Sequence, residues 1–212
     1  MTLTGRITFT LSELQNKTIQ LPHGGSIQAD TKLDSQGERL TRILLNNGKL
    51  TLSILPERGM EVGEIFLSGE KMSWERSPDY WVHPNQVDFH KGNGTGWMDG
   101  FYSAAAAIGP ELFGTPGEGL TLHGTGSYSI AELETVRIGY NEEGLQVEGV
   151  VPCRGYSTEP IFKKEITIFT RWNSSLFMIE VMTMNLSAKL RSWMMGIMFS
   201  SRVRSFIRAD GM

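Results

Sequence analysis

A histidine in a glycine-flanked turn near the middle of the chain is the first residue whose type and setting could do chemistry. His123 lies in the run GLTLHGTGS, residues 119–127. Glycine has no Cβ, so a ligand can approach the backbone closely beside an imidazole that gives or takes a proton. The same residues fit a turn in which His123 only makes local hydrogen bonds. The turn by itself leaves both interpretations open.

An arginine at the end of a predicted strand is the second candidate. Arg58 stands in the run LPERGMEVG, residues 55–63, between a proline and a glycine. Its planar guanidinium can hold two hydroxyls or a carboxylate at once. Alternatively, Arg58 is a surface charge paired with Glu57 or Glu61.

A long aromatic and glycine-rich segment, residues 79–126, separates two regions of predicted strands. Long irregular segments in compact domains are usually functional, because ordering them costs conformational entropy. Aromatic rings pack against the CH faces of sugars while neighbouring polar groups bind the hydroxyls. The segment is therefore predicted to hold a carbohydrate site; its aromatic residues are Trp81, Phe89, Trp97, Phe101, Tyr102 and Phe113.

Other motifs for cofactor, metal or nucleophile chemistry find little support. His83, Asp88 and His90 could ligate a divalent metal, but their spacing matches no closed metal motif and predicts loop hydrogen bonding instead. The glycine-rich run at 92–96 lacks the Lys-Ser/Thr of a phosphate-binding loop, and no Gly-x-Ser-x-Gly elbow is present. We expect neither a metal nor a cofactor.

The elements that must position these residues are short alternating strands separated by turns. Asn46, Asn47 and Gly48 form a typical hairpin turn, because Asn and Gly tolerate a positive φ. This pattern predicts an antiparallel β-sandwich or barrel, with a helical turn over 102–108 left open. The predicted strands cover residues 39–45, 49–55, 61–67, 71–74, 128–140, 145–151, 161–170 and 176–184.

Composition restricts the classes of partner. A net charge of −3 over 212 residues argues against nucleic-acid binding, which requires a basic surface. Neither a signal peptide nor an apolar run of about 18 residues is visible, so we expect no membrane contact and a cytoplasmic location. The single cysteine, Cys153, excludes an intrachain disulfide and fits a reducing compartment.

The composition changes abruptly near the end of the sequence. Residues 189–212 carry five basic residues and one acid, a charge of +4, which leaves −7 for residues 1–188. We interpret residues 1–188 as one domain and residues 189–212 as an atypical basic tail. A basic amphipathic membrane helix is one explanation of the tail, and a truncated or broken end is another. An incomplete sheet would have an open edge through which the chain could self-associate.

The order of several motifs across residues 40–187 resembles the aldose 1-epimerase-like, or galactose mutarotase-like, superfamily, and more narrowly an uncharacterised bacterial branch of it. These motifs are LPERGMEVGEIFLSGEKMSWERSP from Leu55, WMDGF from Trp97, GPELFG from Gly109 and TLHGTGS from Thr121. The resemblance implies an all-β antiparallel supersandwich, here incomplete, with a sugar bound in a cleft on one face.

The resemblance also implies roles for particular residues. His123 matches a histidine that contacts the sugar, and Arg58 is the candidate for the strand-end arginine. Trp97 and Asp99, in the WMDGF run, are further candidates for substrate binding. The superfamily opens the sugar ring with a second, later histidine and a late glutamate, without a cofactor. Neither group has a counterpart here, since no histidine follows His123.

The predicted function is therefore that of a protein that binds a monosaccharide or sugar derivative. If active, it interconverts sugar anomers by acid/base ring opening, as the resemblance implies. The alternatives are a non-catalytic sugar-binding or sensing domain and a truncated, inactive remnant.

Overall fold

Two six-stranded antiparallel sheets pack face to face in the computed structural model. The structure describes residues 6–34, 36–73, 82–101, 103–105, 126–153, 162–185 and 202–208. The strands are β1 (Ile7–Thr10), β2 (Lys17–Gln20), β3 (Ser26–Leu33), β4 (Arg39–Asn46), β5 (Leu50–Leu55), β6 (Glu61–Leu67), β7 (Glu70–Lys71), β8 (Arg137–Tyr140), β9 (Gly144–Cys153), β10 (Phe162–Arg171), β11 (Leu176–Asn185) and β12 (Arg202–Arg208). Two one-turn helices, α1 (Leu11–Leu14) and α2 (Trp97–Gly100), accompany them.

Each sheet is built mainly from hairpins. One has the order β2-β3-β4-β5-β6-β7, and the other has the order β1-β8-β9-β10-β11-β12. We call them the β2–β7 sheet and the β1–β12 sheet. In the second sheet, β1 pairs with β8 and β11 pairs with β12, although these paired strands are far apart in the sequence or separated by residues outside the described ranges. The predicted antiparallel sandwich is therefore confirmed.

The core lies between the sheets, because alternate residues of each strand point inward. Val147, Ile168 and Ile179 stand side by side in the register of β9, β10 and β11. They pack in one cluster with Leu45, Leu52 and other residues of the facing sheet. Cys153 is buried in the same cluster with a free thiol.

A buried asparagine joins the two sheets at the β4–β5 turn. The Oδ1 atom of Asn47 accepts hydrogen bonds from the backbone N–H groups of Lys49 and Leu50, which closes the turn. Its Nδ2 atom lies 2.7–2.9 Å from Thr170 Oγ1 and from the carbonyl oxygens of Arg171 and Ser174, all in the β10–β11 hairpin. The Asn47 side chain therefore links the two sheets at this end of the sandwich.

Several predicted boundaries differ from the structure. The predicted strand over 128–140 is wrong for most of its length, because 3₁₀ turns at Gly126–Tyr128 and Leu133–Thr135 precede β8. Strands β1, β2 and β3 were not predicted. The sequence leaves a helical turn open over residues 102–108. There, Ala104 and Ala105 form backbone hydrogen bonds with Gly63 and Val62 of β6. Residue 102 and the residues after Ala105 lie outside the described residues.

The basic tail contributes a strand. Over its whole length β12 pairs with β11 at the edge of the β1–β12 sheet, from Arg208 opposite Leu176 to Arg202 opposite Met182. The earlier part of the tail, residues 189–201, lies outside the described residues. Among the helices that the structure describes, none is long and apolar enough to cross a membrane.

Candidate functional site

Arg58 is placed by a sharp change of chain direction between β5 and β6. Pro56–Arg58 forms a 3₁₀ turn directly after β5. Gly59 and Met60 follow with φ angles of 62° and 60°, the left-handed region that glycine adopts readily and methionine rarely. The Gly59 N–H donates to the carbonyl of Ser129 at 2.8 Å. The turn is therefore anchored on both sides, and the Arg58 side chain is only 1% exposed.

The guanidinium of Arg58 makes contacts on three sides. Its Nε donates to a carboxylate oxygen of Glu61 at 3.4 Å, and its Nη1 donates to the carbonyl of Val82 at 3.2 Å. Its Cζ lies 4.8 Å from the ring centroid of Tyr128, in a cation–π arrangement. Its Nη2 is buried and has no hydrogen-bond partner within the part of the chain that the structure describes. One donor group of a buried cation thus remains available.

Glu61 connects Arg58 to a distant segment. The Glu61 carboxylate is buried and also accepts a hydrogen bond from the Ser103 hydroxyl. Residues after Ser103 are held against β6, since Val62 and Ala105 exchange two backbone hydrogen bonds of 3.0 and 3.1 Å. We call Arg58, Glu61, Ser103 and Tyr128 the Arg58 cluster.

A second buried carboxyl group stands one residue before Arg58. Glu57 turns away from the guanidinium and accepts hydrogen bonds from the Thr41 hydroxyl at 2.6 Å and the Thr41 backbone N–H at 3.0 Å. Burial raises the pKa of Glu57 above its ordinary value, although the hydrogen bonds from Thr41 and the nearby His83 oppose the rise. This carboxyl group holds its proton more tightly than a solvated glutamate does.

Asp34 and His83 fix the segment that carries Val82. The His83 backbone N–H donates to Asp34 Oδ2 at 3.1 Å, and Asp34 Oδ1 accepts from the N–H groups of Gln36 and Glu38. Burial by itself would raise the pKa of Asp34, but these three backbone donors outweigh it and lower the pKa. The ionised carboxylate therefore stabilises the turn that brings the Val82 carbonyl to Arg58.

Aromatic residues extend from the Arg58 cluster toward α2. The Tyr128 hydroxyl donates to the carbonyl of Trp97 at 2.5 Å. Edge-to-face contacts join Tyr128 to Phe89 and Trp97 to Phe101, with ring centroids 5.0 and 5.4 Å apart. The described aromatic residues of the predicted sugar-binding segment are thus connected to Arg58 through Tyr128.

The structure brings together some of the predicted site residues and not others. Arg58 and Trp97 are connected through Tyr128. Asp99 lies on the same short helix as Trp97 but is half exposed and paired with Lys91 at 2.5 Å. His123 lies outside the described residues. Arg58 does pair with Glu61, as the alternative interpretation proposed, but this pair is buried and not at the surface.

Sequence reasoning missed the groups from other segments that contact Arg58 or its partner Glu61. Glu61 could be found by its spacing of three residues, whereas Ser103, Tyr128 and the Val82 carbonyl carry no local signal. The histidine and aspartate run at 83–90 forms no candidate metal site with the other described residues, where no group of three metal-ligating side chains occurs.

Comparisons with known proteins give one family and one solved structure. The family model DUF4432, described as a domain of unknown function, matches residues 35–196. The fold is similar to a structure titled "Crystal structure of a putative aldose 1-epimerase" from Klebsiella pneumoniae subsp. pneumoniae, with a TM-score of 0.68 and 20% sequence identity. The match covers 86% of this chain and 52% of that one, so this chain spans about half of its length. No curated protein matches the sequence.

Proposed function

The chain belongs to the DUF4432 family, and we propose that it binds a monosaccharide or sugar derivative at the Arg58 cluster. The observation that carries this proposal is the buried Nη2 of Arg58, which has no hydrogen-bond partner among the described residues. Buried polar groups are nearly always hydrogen-bonded, so a buried donor of this kind is suited to an acceptor on a ligand.

A sugar hydroxyl or ring oxygen is a suitable acceptor. The Glu61 carboxylate already pairs with the guanidinium, which favours an uncharged acceptor over a second anion at the same cation. The rings around Tyr128 and Trp97 supply the apolar surface against which the CH groups of a sugar pack. The similarity of the fold to that of a protein titled as an aldose 1-epimerase supports the same class of ligand.

We further propose that any reaction at this site is the interconversion of sugar anomers by acid/base ring opening, with His123 as a catalytic group and Trp97 and Asp99 as further binding residues. Ring opening needs an acid and a base on opposite sides of the hemiacetal. The alternative is sugar binding without catalysis.

Calorimetric titration with a panel of aldoses tests binding. Arg58→Lys keeps the positive charge beside Glu61 but loses the planar fork, so we expect at least about tenfold weaker binding. Arg42→Lys is the matched control, since Arg42 forms a partly buried pair with Asp30 in the β2–β7 sheet. His123→Ala should weaken binding by a similar factor if His123 contacts the sugar. No saturable heat for the wild-type protein with any aldose would rule out the proposal.

Polarimetry on a freshly dissolved sugar separates the two alternatives. A protein that binds an aldose and accelerates its mutarotation in a His123-dependent way has the ring-opening activity. If the sugar binds without acceleration, the chain is a binding domain.

A further inference from the structure

A buried group of polar side chains lies on the outer face of the β1–β12 sheet, away from the core and from the Arg58 cluster. Leu145, Val147 and Ile168 point into the sandwich, and side chains alternate along a strand. Gln146, Glu148 and Phe169 therefore lie on the opposite, outer face. The structure buries Gln146 to 2% exposure there, which is unusual for a polar residue on an outer face.

Glu148 is held between two donors. Arg6 Nη2 donates to Glu148 Oε1 at 2.6 Å, and Gln146 Nε2 donates to Glu148 Oε2 at 2.9 Å. A carboxylate can only accept, so the Gln146 amide must present its nitrogen to Glu148 and its oxygen elsewhere. The charges of Arg6 and Glu148 cancel, and the group as a whole is neutral.

Two atoms of this group lack hydrogen-bond partners. Arg6 Nη1 and Gln146 Oε1 are both buried, and neither has a partner in the described residues. One atom is a donor and the other an acceptor, and both belong to side chains bonded to the same carboxylate. A hydroxyl group can accept from the first and donate to the second at the same time.

Two apolar side chains stand next to this group in the sheet. Phe169 stands opposite Gln146 in the register of β9 and β10, and Met178 stands opposite Phe169 in β11. Both are buried and form a cluster separate from the main core. The outer face thus combines hydrogen-bonding atoms with an aromatic and a thioether side chain.

A glycine makes the position of Arg6 possible. A Cβ added at Gly139 would lie 2.5 Å from Arg6 Cδ, 2.7 Å from Arg6 Cγ and 2.8 Å from the carbonyl of Ile7. Gly139 pairs with Thr8 in β1 and with Gln146 in β9. Arg6 reaches Glu148 by crossing over this glycine.

We propose that Arg6, Glu148 and Gln146 form a second binding site, for a neutral polyhydroxy compound such as a cyclitol or a sugar ring. One hydroxyl bridges Arg6 Nη1 and Gln146 Oε1, beside Phe169 and Met178. The neutral charge of the group disfavours a carboxylate or phosphate ligand. The site does not depend on ligand binding at the Arg58 cluster.

Titration with myo-inositol and with methyl β-glucopyranoside, followed by saturation-transfer NMR, tests the proposal. Neither compound can mutarotate, so turnover does not complicate the readout. Wild type should bind saturably, and Arg6→Met, Gln146→Leu and Gly139→Ala should each weaken binding at least about tenfold, as expected for the loss of a charge-assisted or buried hydrogen bond. Arg42→Met, in the facing sheet, is the control and should keep this binding. Arg58→Lys distinguishes this site from the Arg58 cluster, because binding here does not depend on Arg58.

Circular dichroism verifies that each variant is folded. Arg6 directly precedes the edge strand β1 and Gly139 lies in the adjacent β8, so these two variants keep the test decisive if Gln146→Leu does not fold. The proposal is overturned if wild type shows no saturable binding, which would mean that an ordered water satisfies the two atoms. It is also overturned if folded Arg6→Met and Gly139→Ala bind as wild type does, or if Arg58→Lys removes all binding.

Discussion

Replacing Arg58 with methionine should destabilise the fold far more than replacing an arginine at the surface. The variant loses the hydrogen bond to the Val82 carbonyl, the contact with Tyr128 and the ion pair with Glu61. Breaking a buried ion pair from one side costs about 3–5 kcal/mol, because the remaining charge stays buried. The Nε–Oε2 distance of 3.4 Å is long, so we expect a value near the lower end, about 3 kcal/mol.

A double-mutant cycle isolates the ion pair. Glu61→Gln removes the carboxylate charge but keeps an oxygen that can accept from Ser103. In the Arg58→Met/Glu61→Gln variant no charge of the pair remains buried. The double variant should therefore be more stable than the sum of the two single effects predicts, by about 1–3 kcal/mol.

Urea unfolding followed by circular dichroism measures these free energies. Arg42→Met is the reference, because the Arg42 side chain is 17% exposed and its pair with Asp30 is partly solvated. We expect it to cost only about 1 kcal/mol. Two results would contradict a desolvated Arg58–Glu61 ion pair. Either Arg58→Met costs no more stability than Arg42→Met, or the effects of the Arg58 and Glu61 replacements on the free energy of unfolding are additive.

Three further predictions concern pH, the joint between the sheets and the basic tail. Burial raises the pKa of Glu57 above its ordinary value of 4.5. The stability that the protonated Glu57 side chain contributes is therefore fully present below pH 4.5 and is lost as the pH rises through the folded-state pKa. Glu57→Gln should gain stability relative to wild type in urea unfolding between about pH 4 and pH 8, and a constant difference would contradict this. Asn47→Ala removes the donor to three acceptors of the facing hairpin and should cost about 2–3 kcal/mol, against a few tenths for Asn46→Ala; equal costs would show that Asn47 does not join the sheets. A chain ending at Ser187 lacks β12 and exposes the β11 edge, so it should unfold at lower urea and scatter more light than the full chain; unchanged values in both would contradict the pairing.

The sequence predicted strands most accurately where a turn signal adjoins an alternation of apolar and polar residues. The β4–β5 hairpin follows from Asn47 and Gly48, because Gly48 adopts the positive φ of the turn and the Asn47 side chain accepts the backbone hydrogen bonds that close it. Strands β1 and β2 have only four residues each, too few for alternation to distinguish them from loops. The predicted strand before β8 is interrupted because Ala131 and Glu132 donate backbone hydrogen bonds to Pro56 and Val150, which are contacts of tertiary structure.

The candidate site was predictable only in part for the same reason. Arg58 was identifiable from its local setting, and Glu61 from a spacing of three residues. Its other partners come from segments 24 to 70 residues away, whose approach depends on how the sheets pack. The burial of Arg58, which rules out the interpretation as a surface charge, likewise depends on the whole fold.

The most direct test of sugar binding by Arg58 is ¹⁵N NMR of the arginine side chains during titration with an aldose that binds in calorimetry. If Nη2 donates to the sugar, the guanidinium resonances of Arg58 should shift saturably with the same affinity that calorimetry gives. Those of Arg42, which is paired with Asp30 in another part of the β2–β7 sheet, should not move. An aldose that binds while the Arg58 resonances stay unchanged would contradict the assignment of the site to the Arg58 cluster.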